Sequence, residues 1–469
     1  MTPSACGRCS VSDGIRTLFF GDLAASGFGS VTTDLGSRLL DLGLDVRFMS
    51  QNDTGKDLVE PFRSRTVDLQ SLVHTFDPLS GAVDSNEPNK LLPSLFDGSV
   101  RALLLDGEPW GGWVPQASIL LGDVWATRLM VNRAKQGFGS IPSFNYTPVE
   151  GVDLSPRYRE DPWGTVTPVA MSNFGADELA KVMGKRPPMI YHGIDAGIFH
   201  PVGKAQPGSA LGWPIVIKAG DLPDVTLQSK HDCQLMWSNY FAVPVPRTWM
   251  LRTDRHMPRK RYNSMLRALT PVLYRHPDTL LIIHCQQVDQ GGNLLDTIAK
   301  LPGNRMLTPL SPDDDAKPEA WSLFGRPHAQ IILTNAWGMS RDALVALYNA
   351  SDIYLSSSAE GFGLTIAEAI ACGVPAVGLD YSAVPEVIGP AGKLVPVGGL
   401  YDNEYDHFWA VPDEGAYTAV VEELLTRPTH RTKLGRRGPR HVAEHFRWDA
   451  AAADFASLIE TAVAERIAA

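Results

Sequence analysis

The chain of 469 residues has no apolar run approaching the roughly 18 residues that a membrane-crossing helix requires. Its polar start, residues 1–14, lacks the apolar core of a secretory leader, so the protein is expected to stay in the cytoplasm. Cysteine is scarce: the five, at positions 6, 9, 233, 285 and 372, form no disulfide framework and read as free thiols. Cys6-Gly7-Arg8-Cys9 lacks the second half of a zinc site. Positive charge is not in excess either: 42 Lys and Arg against 52 Asp and Glu give a net charge of −10, which argues against a broad nucleic-acid surface but leaves room for a local groove. The acidic triplet Asp313-Asp314-Asp315 follows Ser311-Pro312 in a loop rather than a buried strand, so it reads as solvated, and no metal is expected.

The hydrophobic share, 44%, is ample for two cores. Strands and helices alternate on both sides of a Pro/Gly-rich stretch, so the expected fold is α/β with two Rossmann-like domains. The expected division is 1–200, a linker or insertion over 201–246, and 247–447, with a closing helix over 448–469 that returns to the first domain. Near the start, an apolar strand leads into Gly21-Asp22-Leu23-Ala-Ala-Ser26-Gly27-Phe28-Gly29, then a helix and a second strand. Gly27 and Gly29 match only part of the dinucleotide fingerprint, because Thr32 stands where its third glycine or alanine belongs. An NAD-binding reading is therefore the weaker one.

The richest stretch runs from Ser351 to Pro375. A β-rich segment ends in Glu360, then Gly361-Phe362-Gly363-Leu364 opens a short helix bearing Glu368, and Gly373 and Pro375 stop it. Strand, glycine turn and helix aim backbone N–H groups and a helix N-terminus at an anion. A carboxylate beside phosphate would repel it unless it faced hydroxyls. Two acids at a phosphate cradle therefore point to a ligand that is half sugar, half phosphate, such as a nucleotide sugar. The plain alternative is an amphipathic helix carrying two solvated acids. A second cluster, Arg252-Thr-Asp-Arg255-His256-Met-Pro-Arg259-Lys260-Arg261, sits between an apolar strand and a helical pattern; taken alone it reads equally as a solvated basic turn or a nucleic-acid patch.

These residues resemble the retaining glycosyltransferases of family 4, whose signature is two glutamates with seven residues between them, as in Glu360 and Glu368. The resemblance implies the GT-B architecture, two Rossmann-like domains facing a central cleft, and metal-independent sugar transfer from a nucleoside diphosphate sugar, the only small-molecule partner beside the acceptor. It implies that Glu360 contacts the donor sugar, that the Gly361, Phe362, Gly363 and Leu364 amides contact sugar and pyrophosphate, and that Glu368 holds the ribose. Arg255 and Lys260 correspond to the pair that neutralises the diphosphate, with Arg252 and Arg259 as substitutes for Arg255. Gly27 and Gly29 become donor-side candidates, and His192 reads as structural.

One departure is visible. Many relatives carry a histidine after the strand that here reads Phe144-Asn145-Tyr146-Thr147-Pro148-Val149-Glu150, and this chain has none there. Asn145, Glu150 or the loop Asp106-Gly107-Glu108 could face the acceptor, whose identity stays open among small molecule, lipid, protein and modified DNA. A nucleotide-sugar epimerase, a sugar phosphorylase or a catalytically silent binding homologue remain alternatives.

Overall fold

The computed structural model describes residues 14–23, 26–50, 58–68, 110–133, 135–159, 162–204, 212–218, 224–245, 248–307, 318–335, 339–403 and 407–469. The loop at 106–108, the triplet at 313–315 and the cysteines at 6 and 9 lie outside them. The chain folds into two units: 1–149 with 154–193 and 448–469, and 150–153 with 194–447.

The first unit is built on β1 (Arg16–Gly21), β2 (Asp45–Ser50), β3 (Thr66–Asp68), β4 (Ala117–Leu121), β5 (Ser143–Thr147) and β6 (Thr167–Ala170), in the order β3-β2-β1-β4-β5-β6. Every neighbouring pair is parallel. That requires helical crossovers and buries both faces, hence the continuous apolar runs of β1 and β4. The helix α1 (Gly27–Asp41) follows β1 and crosses over to β2, and α2 (Asn173–Met183) follows β6. A Cβ on Gly21 would lie 2.4 Å from Thr32 Oγ1, so a glycine at the end of β1 is what lets α1 pack closely.

The last helix, Trp448–Ala468, belongs to this unit. Its Phe455 meets Tyr146 edge-on with centroids 4.8 Å apart, and His192 lies between Tyr146 and Trp448. The Tyr146 hydroxyl donates to Ile190 O (3.0 Å), so its contact with His192 Nδ1 (2.7 Å) is best satisfied by an Nδ1–H donor. Burial holds the His192 imidazole neutral, its pKa pushed down to about 3.

In the second unit the strands β9 (Thr248–Arg252), β10 (Thr279–Cys285), β13 (Arg305–Met306), β14 (Glu319–Ser322), β15 (Ile331–Asn335), β16 (Ile353–Leu355), β17 (Ala376–Leu379) and β18 (Gly392–Val395) form one sheet in the order β13-β14-β15-β10-β9-β16-β17-β18. It is parallel from β15 to β18 and antiparallel at the β13-β14 edge. Among the described residues, β7 (Ile215–Ile217) pairs with β8 (Val225–Leu227), β11 (Val288–Asp289) with β12 (Gly292–Asn293), and β19 (Val397–Asp402) with β20 (Phe408–Pro412), each as a separate two-stranded hairpin. The core joins Met250, Leu281, Ile283, Ile353 and Leu355 to the apolar face of the helix Tyr262–Arg275.

The segment expected to be a linker or insertion, 201–246, falls within this second unit. It contributes the antiparallel hairpin of β7 (Ile215–Ile217) with β8 (Val225–Leu227) and the helix α3 (Lys230–Phe241), N-capped by Ser229. Lys230 Nζ pairs with Asp352 at 2.9 Å and Gln234 Nε2 donates to Ala350 O at 3.0 Å, so long-range polar contacts anchor a helix whose own sequence has little one-sided patterning. Residues 150–153 also join this unit, through Val152 N to the Tyr381 hydroxyl (3.0 Å) and Phe408 N to Val152 O (3.0 Å).

Candidate active site

From β9 the chain moves outward to β10 and β15 on one side, then crosses back to β16, β17 and β18 on the other. The boundary between β9 and β16 is therefore a topological switch point, and the crevice beyond its strand ends is where open α/β sheets take ligands. The segment after β9 brings Asp254, Arg259 and Lys260 there, and the segment after β16 brings Ser358 and Glu360.

After β9 the chain turns through a short 3-10 helix, Pro258–Lys260, and Arg261 in left-handed conformation (φ 52°) redirects it into α4 (Tyr262–Arg275). Arg252 is fully buried and holds this turn in place: Nη2 donates to Lys260 O (2.6 Å), Nη1 to Ser357 Oγ (2.5 Å), and the guanidinium lies over the Tyr262 ring at 4.3 Å. Arg252 is thus a scaffold residue.

Lys260, buried, places Nζ between Asp254 Oδ1 (3.0 Å) and Glu360 Oε1. Arg259 reaches Glu360 Oε2 (2.9 Å) and Ala359 O (3.0 Å) through Nη1, and Glu150 Oε1 (2.8 Å) through Nη2. Ser358 Oγ donates to Glu360 Oε1 at 2.5 Å, and Glu360 N donates to Ser382 Oγ at 2.9 Å. Burial alone would raise the Glu360 pKa, but the adjacent Lys260 and Arg259 charges and the hydrogen bonds override it and hold the carboxyl well below its ordinary range. Glu360 is thus a buried carboxylate whose ionised form is favoured by the paired cations.

The expected pairing of Arg255 with Lys260 is not what the structure brings together. Met257 N donates to Arg255 O (2.9 Å), and in this turn the Arg255 side chain, 58% exposed, forms a two-point ion pair with Asp289 at 3.0 and 2.9 Å. Arg259, not Arg255, joins Lys260 at Glu360.

Gly363, in left-handed conformation (φ 105°), starts α6 (Leu364–Ala371), and no side chain caps this N-terminus. Gly361, Phe362 and Gly363 are buried and Leu364 is half-buried; the Phe362 ring packs edge-on against Phe446 at 5.1 Å, so this side chain serves packing. Thr365 Oγ1 donates to Asp254 Oδ1 (3.1 Å), tying α6 to the Lys260 cluster. Glu368 lies further along α6, half-buried, and accepts from the hydroxyl of Tyr348, in α5 (Arg341–Ala350), at 2.7 Å.

The candidates of the first unit are each engaged within that unit. Ser26 caps α1 by accepting from Gly29 N (3.0 Å) while donating to Asp22 Oδ2 (2.7 Å), so the Gly29 amide is already used; Gly27 is exposed at the first helical position. Asn145, expected on the acceptor side, is fully buried: its amide donates to Thr127 Oγ1 (3.0 Å), Leu120 O (3.2 Å) and Gly122 O (3.3 Å), which makes it a tie between β5 and the end of β4. Glu150 belongs to the second unit and pairs with Arg259.

Sequence reasoning missed Asp254, Ser358, Ser382 and Tyr348. Only Asp254 left a usable signal, a lone acid inside a basic run that needs a counter-ion. Among the described residues no cluster of three or more His, Cys, Asp or Glu could hold a metal ion, and no helix is long and apolar enough to cross a membrane.

Residues 328–441 match the family described as "Glycosyl transferases group 1", a stretch that contains both glutamates and α6. The chain is 31% identical over 183 residues to an MMP alpha-(1->4)-mannosyltransferase of Mycolicibacterium hassiacum, covering 38% of this chain and 41% of that protein. It is 33% identical over 137 residues to a D-inositol 3-phosphate glycosyltransferase of Rhodococcus erythropolis, covering 27% and 28%. The chain thus spans less than half the length of these curated relatives. In fold it is similar to sucrose-phosphate synthase from Thermosynechococcus elongatus (TM-score 0.64, 16% identity, 96% of this chain and 99% of that one). It is also similar to Anabaena HepE solved with UDP and glucose (TM-score 0.59, 13% identity, 95% and 100%). Fold and matched region together define the class: two Rossmann-like α/β units of the GT-B kind, with the stretch that matches the group 1 glycosyl transferases lying in the second.

Proposed function

We propose that the protein is a retaining glycosyltransferase that moves a sugar from a nucleoside diphosphate sugar to an acceptor, without a metal or further cofactor, and that it acts in the cytoplasm. The observation that carries this reading is the buried carboxylate of Glu360, held by Lys260, Arg259 and Ser358 at the uncapped start of α6, inside the matched region.

Cleaving the bond between sugar and diphosphate builds negative charge on the leaving group and positive charge on the sugar. Lys260 and Arg259 are placed to take up the first, with the Gly361 to Leu364 amides adding donors at the helix terminus. Glu360, fixed and ionised, orients the sugar and faces the oxocarbenium-like centre. The cluster is self-neutralised, three cations (Arg252, Arg259, Lys260) against three carboxylates (Glu150, Asp254, Glu360). An incoming diphosphate must therefore share Arg259 and Lys260 with Glu360, which would put phosphate and sugar on adjoining sides of the same residues. The departing phosphate oxygen serves as the acceptor's base, so no dedicated histidine is required.

The test is a panel of nucleotide sugars screened by thermal shift, followed by product analysis on slow hydrolysis of the stabilising donor. Release of sugar with retained anomeric configuration, abolished by Glu360→Gln, supports the reading. Stabilisation by no donor, or conversion of the donor to another nucleotide sugar, would overturn it.

A further inference from the structure

We propose that the first unit carries a binding site of its own, a pocket at the start of β2 that takes the phosphate monoester of a small polyhydroxylated molecule, with Arg47 and Arg65 binding the phosphate. The inference does not rest on the nucleotide-sugar reading, because every residue that builds this pocket belongs to the first unit.

The pocket, of about 790 Å³, lies between the end of α1, the turn that follows it, the first residues of β2 and the short helix Phe62–Arg65 that leads into β3. Its size suits a small molecule. The strands here are parallel, so this is the end of the sheet at which they begin. Ligands of open α/β sheets ordinarily sit beyond the opposite ends, and the pocket is thus separate from the crevice that the fold itself offers.

Two cations meet in it. Arg65 Nη1 donates to Asp45 Oδ1 (2.7 Å) and Val46 O (3.3 Å), and Asp45 Oδ2 accepts from Trp113 Nε1 (2.5 Å). Both Asp45 oxygens are therefore engaged, by Arg65 and Trp113. Arg47 has no ion-pair partner among the described residues; its guanidinium rests on two rings, 4.7 Å from the Trp113 centroid and 5.4 Å from that of Trp110. Its Nε is shielded from solvent and has no hydrogen-bond partner. Stacking fixes the plane of a guanidinium and satisfies none of its N–H donors. Burial lowers the Arg47 pKa, Asp45 opposes this, and the like charge of Arg65 lowers it further, so two guanidinium groups share one carboxylate.

The lining decides the class of ligand. Two guanidinium groups, one held flat on indole rings and one using a single nitrogen, match the dianionic, three-acceptor end of a phosphate monoester. Ser64 and the exposed Asp41 complete the polar lining. Both can accept from hydroxyls, and Asp41 repels any further anionic group. A polyanion such as nucleic acid is therefore disfavoured, in keeping with the net charge of −10, and a ligand with one phosphate and several hydroxyls is favoured.

The experiment is titration calorimetry of the full chain with glucose 6-phosphate and glycerol 3-phosphate, and with inorganic phosphate, glucose and gluconate as controls. At least one of the two esters should bind about tenfold more tightly than inorganic phosphate, and glucose and gluconate more weakly still. Arg47→Met, which keeps an apolar stem on the indole rings, and Arg65→Gln should each weaken the bound ester about tenfold or more, with UDP and GDP binding as in wild type. Arg47→Lys, which keeps the charge and loses the planar fork, should fall between, and it carries the test if Arg47→Met folds poorly. Lys260→Ala should leave ester binding unchanged. The proposal is overturned if neither ester binds, if binding survives in Arg47→Met and Arg65→Gln, or if Lys260→Ala removes it and so places the ester in the second unit. Gluconate binding as tightly as the esters would overturn the assignment to phosphate, and inorganic phosphate binding as tightly would overturn the assignment to a polyhydroxylated ester.

Discussion

The two Rossmann-like units present the same device at their switch points, a strand, a glycine-containing turn and a helix N-terminus, and finish it differently. In the first, Ser26 caps α1 and Asp22 accepts from Ser26, so the turn is satisfied from within. In the second, α6 begins at a left-handed glycine with no side-chain cap, beside a buried set of charges whose closest contacts join residues about a hundred positions apart. A capped helix end is complete as folded. An uncapped one next to costly buried charge is where a ligand can add interactions that the fold has not already made.

The sharpest way to break this contrast is Glu360→Ala. It leaves Lys260 and Arg259 facing a buried site without their shared counter-charge, for an expected loss of about 3–5 kcal/mol of stability together with loss of turnover. Chemical denaturation and donor hydrolysis measure the two effects. A variant of normal stability would mean that the cluster opens to water.

Next come the cations. Lys260→Ala and Arg259→Ala should each remove a charge-assisted contact of roughly 1.5–3 kcal/mol, about 10- to 150-fold in donor-dependent rate. Arg255→Ala, which breaks only an exposed pair with Asp289, should stay below about fivefold. Steady-state kinetics on the three decide between Arg259 and Arg255. A larger defect in Arg255→Ala would mean that Arg255 leaves Asp289 for the diphosphate.

For His192 and Ser26, in the first unit, the expected changes concern stability alone. The folded pKa of His192 is depressed to about 3 from an unfolded value near 6.5, so its contribution is full above pH 6.5 and is lost as pH falls toward 3. The slope is at most about 1.4 kcal/mol per pH unit, because the unfolded chain binds the extra proton. Denaturant midpoints compared at neutral and mildly acid pH should show this for wild type and less of it for His192→Gln. Ser26→Ala should cost about 1 kcal/mol of stability and leave donor binding unchanged. Donor binding weakened as strongly as in Lys260→Ala would bring Gly27 and Gly29 into the donor site. The smallest expected effect is that of chelation: EDTA should leave turnover intact, and rescue of a chelated enzyme by magnesium or manganese would contradict the assignment of Lys260 and Arg259.

Much of the fold was legible because parallel strands buried on both faces leave continuous apolar runs, and glycine turns mark where helices begin. The position of Glu360 between a strand and a helix start was legible for the same reason. The choice among Arg252, Arg255 and Arg259 was not. Arg252 ends β9 and holds the 3-10 turn that follows, and that turn with the left-handed Arg261 sets where Arg259 points, all of it dependent on partners on other strands. The role of Asn145 was not legible, because a polar residue late in a strand reads alike whether it faces a ligand or ties two strands together. How the segment expected to be a linker or insertion attaches was not legible either, because α3 is held by Asp352 and Ala350, which local patterning does not reveal.

The most direct test of the central claim, that the second unit binds a nucleotide sugar with its two glutamates divided between sugar and ribose, is calorimetry of Glu360→Ala and Glu368→Ala with the intact donor and with free nucleoside diphosphate. The account expects Glu368→Ala to weaken both ligands by roughly 1.5–3 kcal/mol, and Glu360→Ala to weaken the intact donor while leaving the nucleotide nearly unchanged. Equal losses for both ligands in both variants would show that the glutamates only support the loop, and would contradict it.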